Sequence, residues 1–218
     1  MPPPACPSPR ESGAFARARD ERVCRLLAAH PVTAAMLVRV GWFPTPGKAS
    51  KRLRRLCARK RVRLVGTVSR APGRPEHVYA AFRPKADALA HEVELTEVCL
   101  RLDAGAVRRG ADADPRLRPD AEVFIRGRRY LLELDRGSMS YGQVARRFRV
   151  YEGTRDFVLW VCPTPARREG LRARAAGIRG VALFTTRAEV LESPHGPIWR
   201  DYAGGTVALP REGAGRGA

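Results

Sequence analysis

Between Pro119 and Asp135 the chain alternates apolar and polar residues on both sides of a glycine. Val123, Ile125, Tyr130, Leu132 and Leu134 occupy one set of positions; Asp120, Glu122, Glu133 and Asp135 occupy the other. Period-two alternation predicts two short strands, with Gly127-Arg128 as the two-residue link between them. Pairing Arg126 with Arg129 sets Glu122 opposite Glu133 and Asp120 opposite Asp135. The four carboxylates then share one face, and the apolar set forms the expected core side. A one-residue slip would separate the two acidic sets onto opposite faces, so this arrangement depends on the turn.

Helical spacing dominates before this hairpin. Phe15, Val23, Leu26 and Leu27 predict a helix from Ala14 to His30, and Thr33 is an N-cap for a short helix with Met36, Leu37 and Val40. Gly41–Gly47 is turn-rich. A third helix, Lys48 to Arg61, carries an apolar stripe at Ala49, Leu53, Leu56 and Cys57. Lys48, Lys51, Arg52, Arg54, Arg55, Arg59 and Lys60 fill most of its remaining surface. Residues 62–69 and 76–82 read as strands, with Arg70 and Arg74 at the tip between them. Three helices, the last basic, and a hairpin with a basic tip describe a winged helix-turn-helix. In such a module the third helix enters the DNA major groove.

A helix from Lys85 to Asp103, with Leu89, Val93, Thr96 and Leu100 in one stripe, links this module to the hairpin. A short strand is expected at Ala106–Arg109. After the hairpin come a helix from Tyr141 to Tyr151, a buried strand at Phe157–Cys162 and a basic helix at Ala166–Ala176. A strand at Val181–Phe184 and a helix at Arg187–Glu192 follow. The expected organisation is α/β: disordered residues 1–13, a winged helix at 14–84, an α/β domain with a mixed sheet at 85–193 and a Gly-rich tail at 194–218. Ile198, Trp199 and Tyr202 are the tail positions able to dock.

Charge changes the picture most. The 218-residue chain has a formal net charge of +19, distributed unevenly. Residues 1–90 hold 19 Lys and Arg against 5 Asp and Glu; residues 91–218 hold 22 against 17. A polyanion bound mainly by the N-terminal part is the natural partner, and double-stranded DNA fits the module. Cys6, Cys24, Cys57, Cys99 and Cys162 form no CxxC pair, and the four histidines lack zinc spacing. A reduced, cytoplasmic protein without structural zinc is expected. The first residues lack the apolar core of a secretory signal, and no run has the length of a membrane span. No phosphate-binding glycine loop or dinucleotide fingerprint occurs, so no nucleotide cofactor is expected.

Four carboxylates on one face need compensation, either from a hard cation with oxygen ligands or from arginines. Gln143, Arg146, Arg147 and Tyr151 sit on one face of the following helix, able to look back at the hairpin. The register alone does not place Glu122, which is either part of the acidic set or an exposed side chain remote from it.

Pro119-Asp120, Glu133-Leu134-Asp135 and the helix carrying Gln143, Arg147 and Tyr151 together resemble the PD-(D/E)xK nuclease fold. The resemblance implies Mg²⁺ or Mn²⁺ held by Asp120 and Glu133, with Asp135 as a further ligand and Gln143 in the catalytic set. Glu94 or Glu97 on the preceding helix would complete the site. The lysine of that motif is replaced by Asp135, which cannot supply a positive charge to an attacking water. Over residues 18–188, the winged helix, His91-Glu-Val-Glu-Leu-Thr-Glu97, Leu117-Arg-Pro-Asp120 and Glu133-Leu-Asp-Arg-Gly137 resemble the replication-relaxation family. This implies a DNA-binding protein of plasmid or mobile-element replication, with replication or relaxase proteins as partners and an inactive or modified nuclease-like domain. The alternatives are a metal-dependent endonuclease that nicks DNA and a transcriptional regulator whose α/β domain forms a homodimer.

Overall fold

The computed structural model describes residues 9–69, 75–103, 106–108 and 117–210. The chain divides into two compact units between Val93 and Glu94. The division therefore falls inside a helix rather than at the expected boundary near residue 84.

In the first unit, α1 (Pro9–Ala29) is followed by β1 (Val32–Thr33), α2 (Ala34–Arg39) and α3 (Pro46–Ala58). Helix α1 begins at Pro9, within the segment expected to be disordered; residues 1–8 lie outside the described residues. Strands β2 (Arg63–Val68) and β3 (Glu76–Ala80) form an antiparallel hairpin, and β1 joins β3 on its other side. Arg70 and Arg74, the expected hairpin tip, lie outside the described residues.

Helices α2 and α3 each start at a threonine whose hydroxyl caps the first turn. Thr33 accepts from the Met36 amide, and Thr45 accepts from the Lys48 amide ahead of Pro46 at the first helical turn. The core includes the predicted stripe: Leu53 and Leu56 of α3 are buried, as are Val23, Leu27, Met36, Leu37 and Val78 of the same unit. Full burial of a leucine is worth about 1.5–3 kcal/mol, so this stripe orients α3 and leaves its basic side outward.

The second unit contains β4 (Ala106–Arg108), β5 (Ala121–Ile125), β6 (Arg128–Leu134), α5 (Tyr141–Val150) and β7 (Phe157–Cys162). Helix α6 (Pro165–Arg172), a 3-10 turn at Ala176–Ile178, β8 (Ala182–Thr186), α7 (Arg187–Glu192), β9 (Trp199–Arg200) and β10 (Thr206–Val207) follow. The sheet order is β10-β9-β8-β7-β6-β5-β4. Strands β4, β5 and β6 are antiparallel; β6, β7 and β8 are parallel, and the last two strands return antiparallel. This is an α/β architecture with a mixed sheet, as expected. The α4 helix (Leu89–Arg101) spans the division between units.

Both faces of the sheet are covered. Leu95 and Val98 of α4, Leu102 just after it and Val190 of α7 pack on Val123, Leu132, Leu134 and Val161. On the other face Val144, Phe148 and Tyr151 from the α5 region and Leu171 of α6 pack on Leu131, Trp160 and Phe184. The C-terminal segment differs from the expected loose tail. Trp199 is fully buried, Leu209 nearly so, and β9 and β10 extend the sheet. Trp199, Leu209 and the pairing of β9 with β8 and β10 hold this segment on the sheet.

Candidate functional site

The hairpin turn is Arg126-Gly127, not Gly127-Arg128. Both residues have positive φ, 51° and 74°, the backbone of a type I′ turn whose twist suits paired strands. Ile125 closes the turn against Arg128, and Glu122 lies opposite Leu131. The register is thus shifted by two residues from the expected one. A two-residue shift preserves the faces, so Asp120, Glu122, Glu133 and Asp135 still point the same way. Continuing the observed register sets Asp120, rather than Glu122, against Glu133. The Asp120 carboxylate accepts the Leu134 amide at 2.8 Å, which holds it at the end of β6.

The acidic face is not solvated. Glu122, Glu133 and Asp135 are each at most 4% exposed, beneath the α5 and α6 side of the sheet. Arginines meet each of them. Arg147 donates from Nε to Glu133 Oε1 at 2.9 Å, and Tyr151 donates its hydroxyl to the same oxygen. Arg147 also donates to the Arg118 carbonyl, tying the approach to β5 onto α5. Arg167 Nε lies 2.5 Å from Asp135 Oδ2, and its Nη2 donates to the Met139 carbonyl at 2.7 Å. Asp135 Oδ1 accepts the Gly137 amide at 2.9 Å. Glu122 is buried, with Arg129 3.7 Å away and shared with Asp156; it is not the exposed side chain that one of its two readings allowed.

Burial and, after it, the neighbouring Asp120 raise the Glu133 pKa to about 7 against the opposing pull of Arg147 and Tyr151. Burial, with Glu133 beside it, pushes the Tyr151 phenol far up, so its proton is a permanent donor. Burial and Asp135 push the Cys162 thiol up to about 12, which makes it an inert core group.

Among the sequence-predicted residues, Asp120, Glu133, Arg147 and Tyr151 come together. Gln143 is placed elsewhere: its Oε1 accepts the Ser140 amide at 2.7 Å, closing the N-terminal cap of α5. Glu94 pairs with Arg136 at 3.2 Å and lines, with Asp135, a cavity of about 360 Å³. Glu97 is buried and pairs with Arg187 at 2.7 Å. Among the described residues no group of three or more His, Cys, Asp or Glu side chains is arranged to hold a metal ion. Asp120 and Glu133 are the two acids that the register sets opposite one another, while Asp135 is committed to Arg167 and the Gly137 amide. Arg167 was not singled out from the sequence. Its signal was the unbalanced acidic face, which required cations from some element, and α6 is the next basic one.

In the first unit, Lys48, Lys51, Arg54, Arg55 and Arg59 are exposed along α3. Arg52 is not: its guanidinium is paired with Asp20 of α1 and only 19% exposed. Burial lowers the Arg52 pKa, and Arg59, Arg19 and Arg55 lower it further, a measure of how closely cations crowd this face.

The family model described as Replication-relaxation matches residues 45–156, just over half of the chain. The chain belongs to the replication-relaxation family. The matched stretch runs from the cap of α3 through the hairpin to the end of the α5 helix and its turn, so it includes both the basic helix and the carboxylate pair. Membership of the replication-relaxation family supports a role in replication or relaxation. No curated protein and no solved structure matches the chain. Among the described residues no helix is long and apolar enough to cross a membrane.

Proposed function

We propose that this replication-relaxation protein binds double-stranded DNA through a winged-helix module and carries a nuclease-like domain that holds DNA or a partner protein without cutting. The observation that carries the reading is the exposed cationic row Lys48, Lys51, Arg54, Arg55 and Arg59 on α3, ahead of an antiparallel hairpin. The order α1-β1-α2-α3-β2-β3, with β1 beside β3, supports a winged helix. The α4-β4-β5-β6-α5-β7 succession, with Asp120 just before β5, Glu133 on β6 and Asp135 just after it, supports a nuclease-like core. Replication or relaxase proteins are the proposed partners.

Abolished cleavage follows from Asp135. A lysine there would present a mobile cation to water and scissile phosphate; Asp135 instead closes on Arg167. The second reading, an endonuclease that nicks DNA, is favoured by one observation: Asp120 and Glu133 face each other, and their repulsion would be relieved by Mg²⁺ or Mn²⁺. Such an ion would supply Lewis-acid activation of a phosphate, with Asp120 and Glu133 holding it.

Supercoiled plasmid incubated with wild-type and Asp120→Ala protein, in Mg²⁺, Mn²⁺ or chelator, separates the readings. DNA retardation without nicking is expected. Metal-dependent nicking by wild type alone would make the protein an enzyme. Loss of neither binding nor salt dependence in a Lys51→Ala/Arg54→Ala/Arg55→Ala variant would overturn the role of α3.

A further inference from the structure

A cavity of about 760 Å³ opens in the second unit at the hairpin-turn end of β6, the end opposite Glu133. Its floor is apolar and aromatic: Ile125, Tyr130, Leu183 and Leu209 are buried, and Phe157 stacks on Tyr130 with ring centres 6.1 Å apart. Its rim carries Arg126, Arg128 and Arg179, all exposed. Arg128 lies flat over Phe157, 4.4 Å from the ring centre. Much of the wall, including Arg179, Leu183 and the segment around Tyr202 to Pro210, lies beyond the family-matched residues. The cavity therefore combines matched residues, Arg128 and Tyr130 among them, with residues that follow the matched stretch.

The charge balance identifies the occupant. Elsewhere in this unit Arg147, Arg167 and Arg187 are consumed by carboxylates. Arg128 and Arg179 meet no carboxylate among the described residues, although both flank the cavity. Asp201 is the acidic residue of the lining, and its Oδ1 is occupied by the Gly205 amide at 2.7 Å. An aromatic and aliphatic floor favours a planar apolar body, and the Arg128 and Arg179 guanidiniums, with no carboxylate against them among the described residues, favour phosphate oxygens. The volume lies in the range of small-molecule sites. We propose that this cavity binds a nucleotide, with the base against the Tyr130–Phe157 side and the phosphate on Arg128 and Arg179. The proposal goes beyond the DNA-binding reading and involves none of the α3 cations.

The test is calorimetric titration of the full-length protein with deoxyadenosine monophosphate, deoxyadenosine and a short 5′-phosphorylated single strand. The monophosphate or the phosphorylated strand should bind, and deoxyadenosine should bind about a hundredfold more weakly, the value of two charge-assisted contacts. Binding of the free monophosphate alone identifies a soluble nucleotide; binding of the strand alone identifies a strand end; either supports the site. Arg128→Ala and Arg179→Ala should each lose about tenfold, and Ala208→Trp, which fills an exposed part of the lining, should abolish binding. Retained circular dichroism and melting temperature show that these variants fold. Arg55→Ala should change nothing here while weakening duplex binding, so the two readings fail separately. No binding by any of the three compounds, equal binding of nucleoside and nucleotide, or binding that survives Ala208→Trp would overturn the proposal.

Discussion

Arg167 reaches Asp135 from 32 residues further along the chain, Nε to Oδ2 at 2.5 Å, and the carboxylate it meets is fully buried. Two charges removed from water have little net worth as a pair, but stripping one partner leaves the other uncompensated. Arg167→Ala should therefore cost about 3–5 kcal/mol in urea unfolding. Arg167→Met combined with Asp135→Leu should cost much less than the sum of the single changes. Additive costs would mean that the pair does not stabilise the end of β6.

The same pair predicts the outcome of restoring the motif. Asp135→Lys would place an ammonium against Arg167 and strip the Gly137 amide of its acceptor. The variant should melt lower than wild type and gain no nicking activity. Nicking that appears on this single change would show that Asp135 alone blocks the chemistry.

Glu133 sets a pH dependence. Its folded pKa is about 7, above the ordinary 4.5, so the folded state holds a proton that the unfolded chain releases. The associated stability is fully present below pH ~4.5 and is lost as pH rises through about 7, by roughly 3 kcal/mol. Melting temperatures of wild type and Glu133→Gln across pH 4.5–8 isolate this contribution, because other groups cancel in the difference. The wild type should decline relative to the variant as pH rises. Because the Asp120 charge raises that pKa, Asp120→Asn should lower the midpoint of the decline and reduce the loss.

How far this was legible in the sequence is clearest at the hairpin. Alternation fixed which side chains share a face, because a face depends only on odd or even position. It left the pairing open by two residues, because Arg126 gave no sign that it would take a positive φ beside Gly127. Arg147 and Tyr151 were readable as a helical pair four residues apart. Gln143 has the same spacing from Arg147, but it lies in the first turn, where free amides compete for its side chain. Arg167 and Arg187 were not readable as partners of Asp135 and Glu97, since those contacts depend on where α6 and α7 fold back onto the sheet. The basic α3 was readable almost completely; only the capture of Arg52 by Asp20 required the packing of α1.

That capture divides the α3 cations into two classes. Arg52→Ala should lower the melting temperature by a few degrees, because it leaves a partly buried Asp20 without its cation. Lys51→Ala, Arg54→Ala and Arg55→Ala expose no such group and should alter stability by less than about 0.5 kcal/mol. In DNA binding the order reverses. Each exposed change at a phosphate contact should reduce the slope of log affinity against log salt by about one, whereas Arg52→Ala should act mainly through stability.

Trp199 tests whether the C-terminal segment belongs to the folded unit. It is fully buried among Leu95, Leu183 and Leu209 in the core on the α4 side of the sheet, on a strand that pairs with β8 through Phe184 and Arg200. Removing so large a buried side chain leaves a cavity that neighbouring aliphatics close only in part. Trp199→Ala should therefore cost about 3–5 kcal/mol, whereas a residue on a loose tail would cost almost nothing. Trp199→Phe should recover much of the loss by refilling the space. Because Leu209 shares the cluster, Trp199→Ala and Leu209→Ala should be non-additive in denaturant unfolding, and additive costs would place the two side chains in independent environments.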